Sequence, residues 1–348
     1  MTSFPMNDYH QQLSQMISDR RGELAEAIVD RMFTLHPAML ERYGKQGHIK
    51  CLEDTNYHLM FLSEALAARS PDLFSDYVQW VKTLLAGLNV PTDDLVVNLN
   101  IIQEVVRSEA PQETRDILED FLERSTAEIS LPPSPLESHI SDDDAFSELA
   151  HRYLKALLQG ERHRASGMIL EAVQAGTSVR DIYLHVFQRS QYEIGRLWQL
   201  NRITVAHEHY CTAATQMIMS QLYSHVFSTA RKGRWLVATS VAGELHEIGV
   251  RMVADFFEMD GWDTLFLGAN TPLRSIVQAV IEHNADVLGI SATMSFHTSR
   301  VVALISAVRA SAECRHVKII VGGYPFNIDG NLWQQVGADG YGRDAEDA

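Results

Sequence analysis

The turn Gly243-Glu244-Leu245-His246-Glu247-Ile248-Gly249 carries the residues with the clearest chemistry in this chain. It follows a short apolar run, Trp235 to Thr239, and opens a helical stretch that continues to Met259. That places His246 at the mouth of a strand, where an imidazole can coordinate a metal held above the strand ends. Glu244, two residues earlier, can accept the proton on the other ring nitrogen, which fixes the tautomer and raises the basicity of the ligand. Gly249 lets the helix approach a bulky ligand closely. A Glu-x-His triplet alone is common in loops, where it serves equally well as a helix-cap carboxylate beside a solvated histidine. A second group, His207-Glu208-His209, follows Trp198 by nine residues and has the same two readings, a metal-facing pair or a core Trp beside solvated polar side chains.

The elements around these residues narrow the choice. After Lys232-Gly233, short β-type runs at 235–239, 263–268, 286–293 and 318–321 alternate with helical stretches at 246–259, 272–283 and 298–312, which predicts a parallel sheet covered on both faces. Such sheets bind ligands at the carboxyl ends of their strands, beside the point where strand order reverses. Gly337 to Tyr341 predicts a fifth strand, and a closing helix would begin near Ala348, so either that helix is very short or the chain is the sensory part of a longer protein. Residues 145–231 read as four helical pieces separated near Gly160, Gly176 and Asn201, a four-helix bundle. Residues 131–144, with Pro132, Pro133, Pro135 and the run Asp142 to Asp144, read as a stiff, solvated linker. Residues 1–130 read as an all-helical domain. Leu13, Met16, Ile17, Leu24 and Ile28 fall on one helix broken at His36-Pro37, with a second break at Gly44 to Gly47. Leu59, Leu62 and Leu66 form a stripe, as do Phe74, Tyr77, Val78, Val81 and Leu85. Pro91 to Asp94 reads as a helix start with the proline just inside the first turn. The fold class expected is therefore multidomain, α plus α/β.

Composition sets outer bounds. Hydrophobic residues make up 46% and charged residues 21%, a globular balance. A formal net charge of −16 argues against a nucleic-acid or anionic-membrane surface. No signal peptide or bilayer-length apolar stretch is evident, and Cys51, Cys211 and Cys314 lack metal-ligand spacing, which together lead to the expectation of a cytoplasmic protein.

Residues 234–343 resemble the cobalamin-binding module shared by methionine synthase, the corrinoid mutases and the corrinoid partners of methyltransferases. The resemblance is carried by Glu244/His246/Gly249, by Ser291-Ala292-Thr293 and by Gly322-Gly323, in that order. Glu244 stands where the commoner family residue is Asp. The resemblance implies that His246 is the lower axial cobalt ligand, with Leu245 beside it. The dimethylbenzimidazole tail would enter the sheet past Ser291, Thr293, Gly322 and Gly323, where a Cβ would occupy its channel. The Trp198-to-Glu208-His209 spacing resembles light-sensing adenosylcobalamin proteins of the CarH type. It implies that Trp198 and Glu208 pack at the upper face and that His209 becomes the upper cobalt ligand after photolysis, with His207 out of register. Residues 1–130 are similar to the globin-like domain of the photocobilins. Tyr57, His58, Tyr77 and Trp80 would then wall a biliverdin, Arg42, Lys45 or Lys50 would meet its propionates, and Cys51 would be the point of any covalent attachment. As an ordinary helical domain, the same aromatics would fill its own core.

Three functions follow from these residues. The first is a photoreceptor, in which cleavage of the cobalt–carbon bond shifts the bundle and changes a homo-oligomer interface, a dimer being expected, or an output domain or partner protein. The alternative is a corrinoid carrier for a methyltransferase system. An isomerase subunit comes last, for want of a substrate barrel. No nucleophile–base pair is evident, so no catalytic residue and no enzyme activity are expected.

Overall fold

The computed structural model describes residues 8–129, 135–227 and 229–348. Ser130 and residues 131–134 of the expected linker lie outside the described residues. The chain divides into two compact units, one holding the described residues to 129 with Met294–Ser299 and Ile328–Leu332, the other holding the rest.

The first unit is built from α1 (Tyr9–Asp19), α2 (Arg21–Leu35), α3 (Pro37–Ala67), α4 (Pro71–Gly87), α5 (Thr92–Glu109) and α6 (Arg115–Ile129). The expected stripes face inward: Leu13, Ile17, Leu24, Ile28, Leu59, Leu62, Leu66 and Phe74 are all buried. Two boundaries differ from expectation. The first helix is interrupted at Arg20, whose φ of −108° and ψ of 15° are not helical, and whose guanidinium reaches Glu109 of α5 at 2.8 Å. The seven-residue step from Ile17 to Leu24 suits one continuous helix, so the interruption leaves no mark in the periodicity. Pro91 is the cap before α5 and not its first helical residue. The break expected at Gly44 is a kink inside α3, where the glycine adopts φ 63°.

An aromatic cluster lies in this unit. Phe61 stacks on Tyr77 with centroids 3.6 Å apart, and the Tyr77 hydroxyl lies 2.8 Å from His58 Nδ1. His58 is buried, and burial pushes its pKa down to about 4. The unfolded chain binds a proton at this site below about 6.5 while the folded one does not until about 4, so acidification favours unfolding across that window by about 3 kcal/mol in total. In denaturant titrations at pH 7 and pH 4.5, His58→Gln is expected to lose markedly less stability on acidification than the parent. Equal losses would refute a neutral buried imidazole.

The second unit begins with a segment whose residues 135–139 and 141–143 are exposed and which is nevertheless tied to the bundle. The His139 amide donates to Glu193, Ile140 is buried, and Asp144 lies 2.7 Å from His185 Nδ1. The bundle comprises α7 (Ser147–Leu158), α8 (Arg162–Gln174), a third helix made of α9 (Val179–Asp181), a π-helical segment (Ile182–Gln188) and α10 (Arg189–Gln199), then α11 (Val205–Gln221) and the short α12 (Tyr223–Val226). Next come β1 (Trp235–Ser240), α13 (Ile248–Met259), β2 (Asp263–Gly268), α14 (Leu273–Glu282), β3 (Val287–Ser291), α15 (Thr298–Ala310), β4 (Lys318–Gly322), α16 (Tyr324–Ile328), α17 (Leu332–Gln335) and β5 (Gly340–Gly342). The strands run parallel in the order β2-β1-β3-β4-β5. This is the flavodoxin-like order, whose reversal lies between β1 and β3.

Helix α13 joins the two halves of this unit. Val250 and Ala254, four residues apart, pack with Leu236 and Ala238 of β1. Met252 and Phe256, also four apart, enter the bundle core with Tyr153, Ile182, Tyr183 and Phe187. Each large side chain so buried contributes about 1.5–3 kcal/mol. The bundle is thereby fixed to the helix that begins just after His246.

Candidate functional site

Ser240, Ser291, Gly322 and Gly342 stand side by side at the carboxyl ends of β1, β3, β4 and β5. The loop after β1 is folded over the end of that row. The Glu244 amide donates to the Val241 carbonyl at 3.0 Å, and Asn270, at φ 52° beyond β2, braces the loop from the side. Its side-chain oxygen accepts from the Gly243 amide at 2.7 Å, and its own amide donates to the Glu244 carbonyl at 2.9 Å.

The Glu244 side chain is fully buried and both of its oxygens are engaged. Oε1 accepts from the His246 amide at 3.0 Å and lies 2.5 Å from His246 Nδ1, while Oε2 accepts from the Thr293 amide at 2.8 Å. One carboxylate thus joins the loops after β1 and β3 across the reversal point. A carboxylate only accepts, so Nδ1 carries the proton and Nε2 of the neutral ring presents a lone pair. The His246 side chain is 56% exposed, and among the described residues nothing is hydrogen-bonded to Nε2. The Glu244 hydrogen bond raises the His246 pKa, partial burial opposes it, and the charges of Glu244 and Glu208 raise it further. Ser240 Oγ donates to the His246 carbonyl at 2.9 Å and holds the backbone beneath the ring.

The start of α11 repeats the acid–imidazole pairing. His209 Nδ1 lies 2.9 Å from Glu208 Oε2, its side chain is 74% exposed, and Thr212 Oγ1 donates to Glu208 Oε1 at 3.1 Å. Trp198, half-buried, lies at the end of α10. His207 has a local role, since its Nδ1 lies 2.8 Å from Thr204 Oγ1 and completes the capping box of α11. Gln216 of α11 donates to Glu247 Oε1 at 2.7 Å, and Glu247 Oε2 accepts from the Ala269 amide at 2.8 Å. The bundle, the His246 loop and the end of β2 are linked through that one carboxylate.

The glycines separate into two kinds. A Cβ on Gly249 would meet no protein atom within 4 Å, so protein packing does not demand a glycine there. At Gly322 it would come 3.1 Å from the Gly342 carbonyl oxygen, and at Gly323, with φ +104°, 2.0 Å from the Ala292 carbonyl oxygen. At Gly323 the chain's own backbone excludes a Cβ, so the fold needs this glycine independently of any ligand channel. Thr293 contributes through its amide. Leu245 is 72% exposed beside His246. Asn270, Glu247, Gln216 and Ser240 escaped the sequence reading; an asparagine just past a strand end, in Ala-Asn-Thr-Pro, was the one available signal.

Of the residues expected to wall a bilin, His58, Tyr77 and Trp80 lie together and Tyr57 is at the surface. His58 and Tyr77 are buried against each other, Trp80 is half-buried 6.4 Å from Tyr77, and Tyr57 is 54% exposed. Arg42 pairs with Asp94 and Lys50 with Glu53, and Lys45 is exposed. Burial pushes the Cys51 thiol up to about 11, which leaves it protonated at neutral pH and poorly suited to covalent attachment.

The fit to a corrinoid can be tested on these atoms. Among the described residues no group of three or more His, Cys, Asp or Glu side chains is disposed to hold a metal ion. A single braced imidazole does not hold a bare ion, but it supplies one axial ligand to a metal whose other positions a macrocycle fills. The row of small residues and the open space at Gly249 leave room for such a macrocycle. Residues 234–348 match the B12 binding domain family, and residues 149–223 match a second B12 binding domain family. The carboxyl-terminal part of this chain has the fold of a B12-binding domain. Residues 3–129 match the phycobilisome protein family.

The dimethylamine corrinoid protein of Methanosarcina barkeri is 30% identical over 114 residues, 32% of this chain and 52% of that protein, so the match spans about half the relative's length. Dimethylamine corrinoid protein 3 of Methanosarcina acetivorans is 23% identical over 205 residues, 58% of this chain and 93% of that one. The solved structure of the monomethylamine corrinoid protein of Methanosarcina barkeri shares the fold, with a TM-score of 0.52 at 19% identity, over 58% of this chain and 95% of that one.

These relatives correct the expectation of an adenosylcobalamin photoreceptor and favour the corrinoid-carrier alternative. The physical reason lies in the bundle. Trp198 ends one helix, Thr204 caps the next, and the positions of Glu208 and His209 follow from that turn, so the spacing tracks the bundle and not a light reaction. Among the described residues no helix is long and apolar enough to cross a membrane.

Proposed function

We propose that this chain is the corrinoid carrier of a methyltransferase system, of the kind named in its methylamine relatives. The observation that carries the reading is the Glu244–His246 pair, locked across β1 and β3 with Nε2 exposed, in a chain that matches a dimethylamine corrinoid protein over 205 residues. Bound cobalamin supplies a cobalt centre that accepts and releases a methyl group. His246 would be its lower ligand, and Glu244 would hold the imidazole in its donor tautomer. Leu245, Gly249, Ser291, Thr293 and Gly322 would line the seat, and Trp198, Glu208 and His209 would approach from the bundle. Carriage needs a partner methyltransferase, and this chain would contribute no catalytic group of its own.

The test is this chain loaded with methylcobalamin and mixed with a thiol acceptor, with and without a methyltransferase that activates that thiol. Methyl loss that requires the partner is expected. Loss that ignores the partner, or failure to retain the corrinoid on desalting, would end the proposal. Parallel loading with adenosylcobalamin measures whether the adenosyl form is accepted as well, and sedimentation of the loaded chain measures whether it forms the expected dimer.

The phycobilisome match favours a second reading for residues 8–129, in which that unit takes a linear tetrapyrrole such as biliverdin. His58 and Tyr77 would then support the site from within, with Tyr57, Trp80 and Arg42 nearer its surface. Chain that elutes colourless after incubation with biliverdin would close this reading without touching the first.

A further inference from the structure

We propose that Arg300 binds the phosphodiester of the cobalamin nucleotide loop. The inference rests on cobalamin binding by residues 234–348 and is independent of methyl carriage. Arg300 lies in the first turn of α15, just past the end of β3, and its Nη1 donates to the Ala242 carbonyl in the loop after β1. Those are the two strands between which the order reverses, so the guanidinium spans the mouth of the crevice in which such sheets take ligands.

Glu244 and Arg300 both cross between these loops, and they differ in what they have left to give. Glu244 is buried with both oxygens engaged. Arg300 is exposed, and among the described residues its Nε and Nη2 donate to nothing and no carboxylate pairs with it. By contrast Arg180, Arg196, Arg231 and Arg309 of the same unit each pair with an Asp or Glu. In a chain of net charge −16, an arginine without a carboxylate at a crevice mouth is a site for an anion.

The chemistry of the ligand supplies that anion. The peripheral side chains of the corrin are neutral amides, and the phosphodiester that links the ring to the benzimidazole nucleotide carries a full negative charge. If His246 takes the lower axial position, the benzimidazole is displaced from cobalt and must lie elsewhere. The crevice beside His246, rimmed by Ser240, Ser291 and Gly322, is adjacent and lined with small side chains. A base accepted there draws the phosphodiester across the mouth that Arg300 spans. A guanidinium anchored at one nitrogen keeps a planar pair of donors for phosphate, which an ammonium does not.

Equilibrium binding of aquacobalamin and of diaquacobinamide, the same ring without the nucleotide loop, tests the assignment on the full chain. Arg300→Gln can keep a donor for Ala242 while removing the charge. It is expected to weaken aquacobalamin binding about 10- to 100-fold, as befits loss of a charge-assisted contact, and to leave diaquacobinamide within about 2-fold. Arg300→Lys should recover part of the loss. Equal weakening of both corrinoids would reduce Arg300 to a strap for the Ala242 loop, and no change in either would remove it altogether. Parent protein that retains neither corrinoid would overturn cobalamin binding itself, a result distinct from both.

Discussion

Replacing His246 with alanine is expected to weaken cobalamin binding roughly 100-fold or more and to shift the visible spectrum from that of an imidazole-ligated corrinoid to one without it. The expectation follows from how little else is disposed to supply a lower donor. The ring reaches the ligand face from a loop held by Asn270, Ser240 and Glu244, and Nε2 is its one unengaged atom of consequence. Glu244→Gln should act in the same direction with a smaller effect, about 10- to 100-fold. Its carboxylate accepts from three N–H groups, those of His246 Nδ1, the His246 amide and the Thr293 amide. An amide offers one oxygen and one NH2, so at least one of those donors would face another donor inside a buried site. Titration of both variants with cobalamin, read by absorbance, checks the order. A His246→Ala protein with the parent's affinity and spectrum would remove the imidazole from the site.

The residues that could be read in advance are those whose roles are local. Glu244 and His246 are two apart in one turn, so residue type and spacing carry the pairing. The strands were legible because β1 to β4 are short runs rich in apolar residues between helical stretches, and β2 begins and ends at the expected residues, Asp263 and Gly268. Roles played by backbone or across long separations left no such trace. Thr293 looked like a channel side chain, yet its amide does the bracing, and any residue but proline can donate an amide. Asn270 lies 26 residues from Glu244 and is joined to it only by the folding of β2 beside β1. The π-helical segment at 182–188 and the interruption at Arg20 both preserve an apolar spacing that a regular helix would show. For a related reason the Trp198-to-His209 spacing does not report function. A Trp-to-Glu-His spacing reports the geometry of a helix–turn–helix corner, and that corner belongs to the bundle whichever chemistry the cofactor performs.

Gly323→Ala and Gly249→Ala are expected to separate what the fold needs from what the ligand needs. At Gly323 the backbone has φ +104°, outside the range L-residues adopt without strain, and a Cβ would lie 2.0 Å from the Ala292 carbonyl oxygen. The obstacle is backbone from the loop after β3, which is also pinned through Thr293 to Glu244, so it has little freedom to retreat. Strain and overlap together should cost about 3 kcal/mol or more, enough to lower the unfolding midpoint of apo-protein sharply. Gly249 lies in the first turn of a helix with nothing within 4 Å of the added Cβ, and alanine there should leave apo stability unchanged or raise it by up to about 1 kcal/mol through helix propensity. Its effect should fall on the corrinoid, whose affinity drops if the open space at Gly249 is where the ring rests. Thermal unfolding without ligand and cobalamin titration of both variants measure the two quantities. Apo-protein bearing Gly323→Ala that unfolds with the parent would show that β4 and the Ala292 loop can part, and cobalamin affinity unchanged in Gly249→Ala would move the ring away from the start of α13.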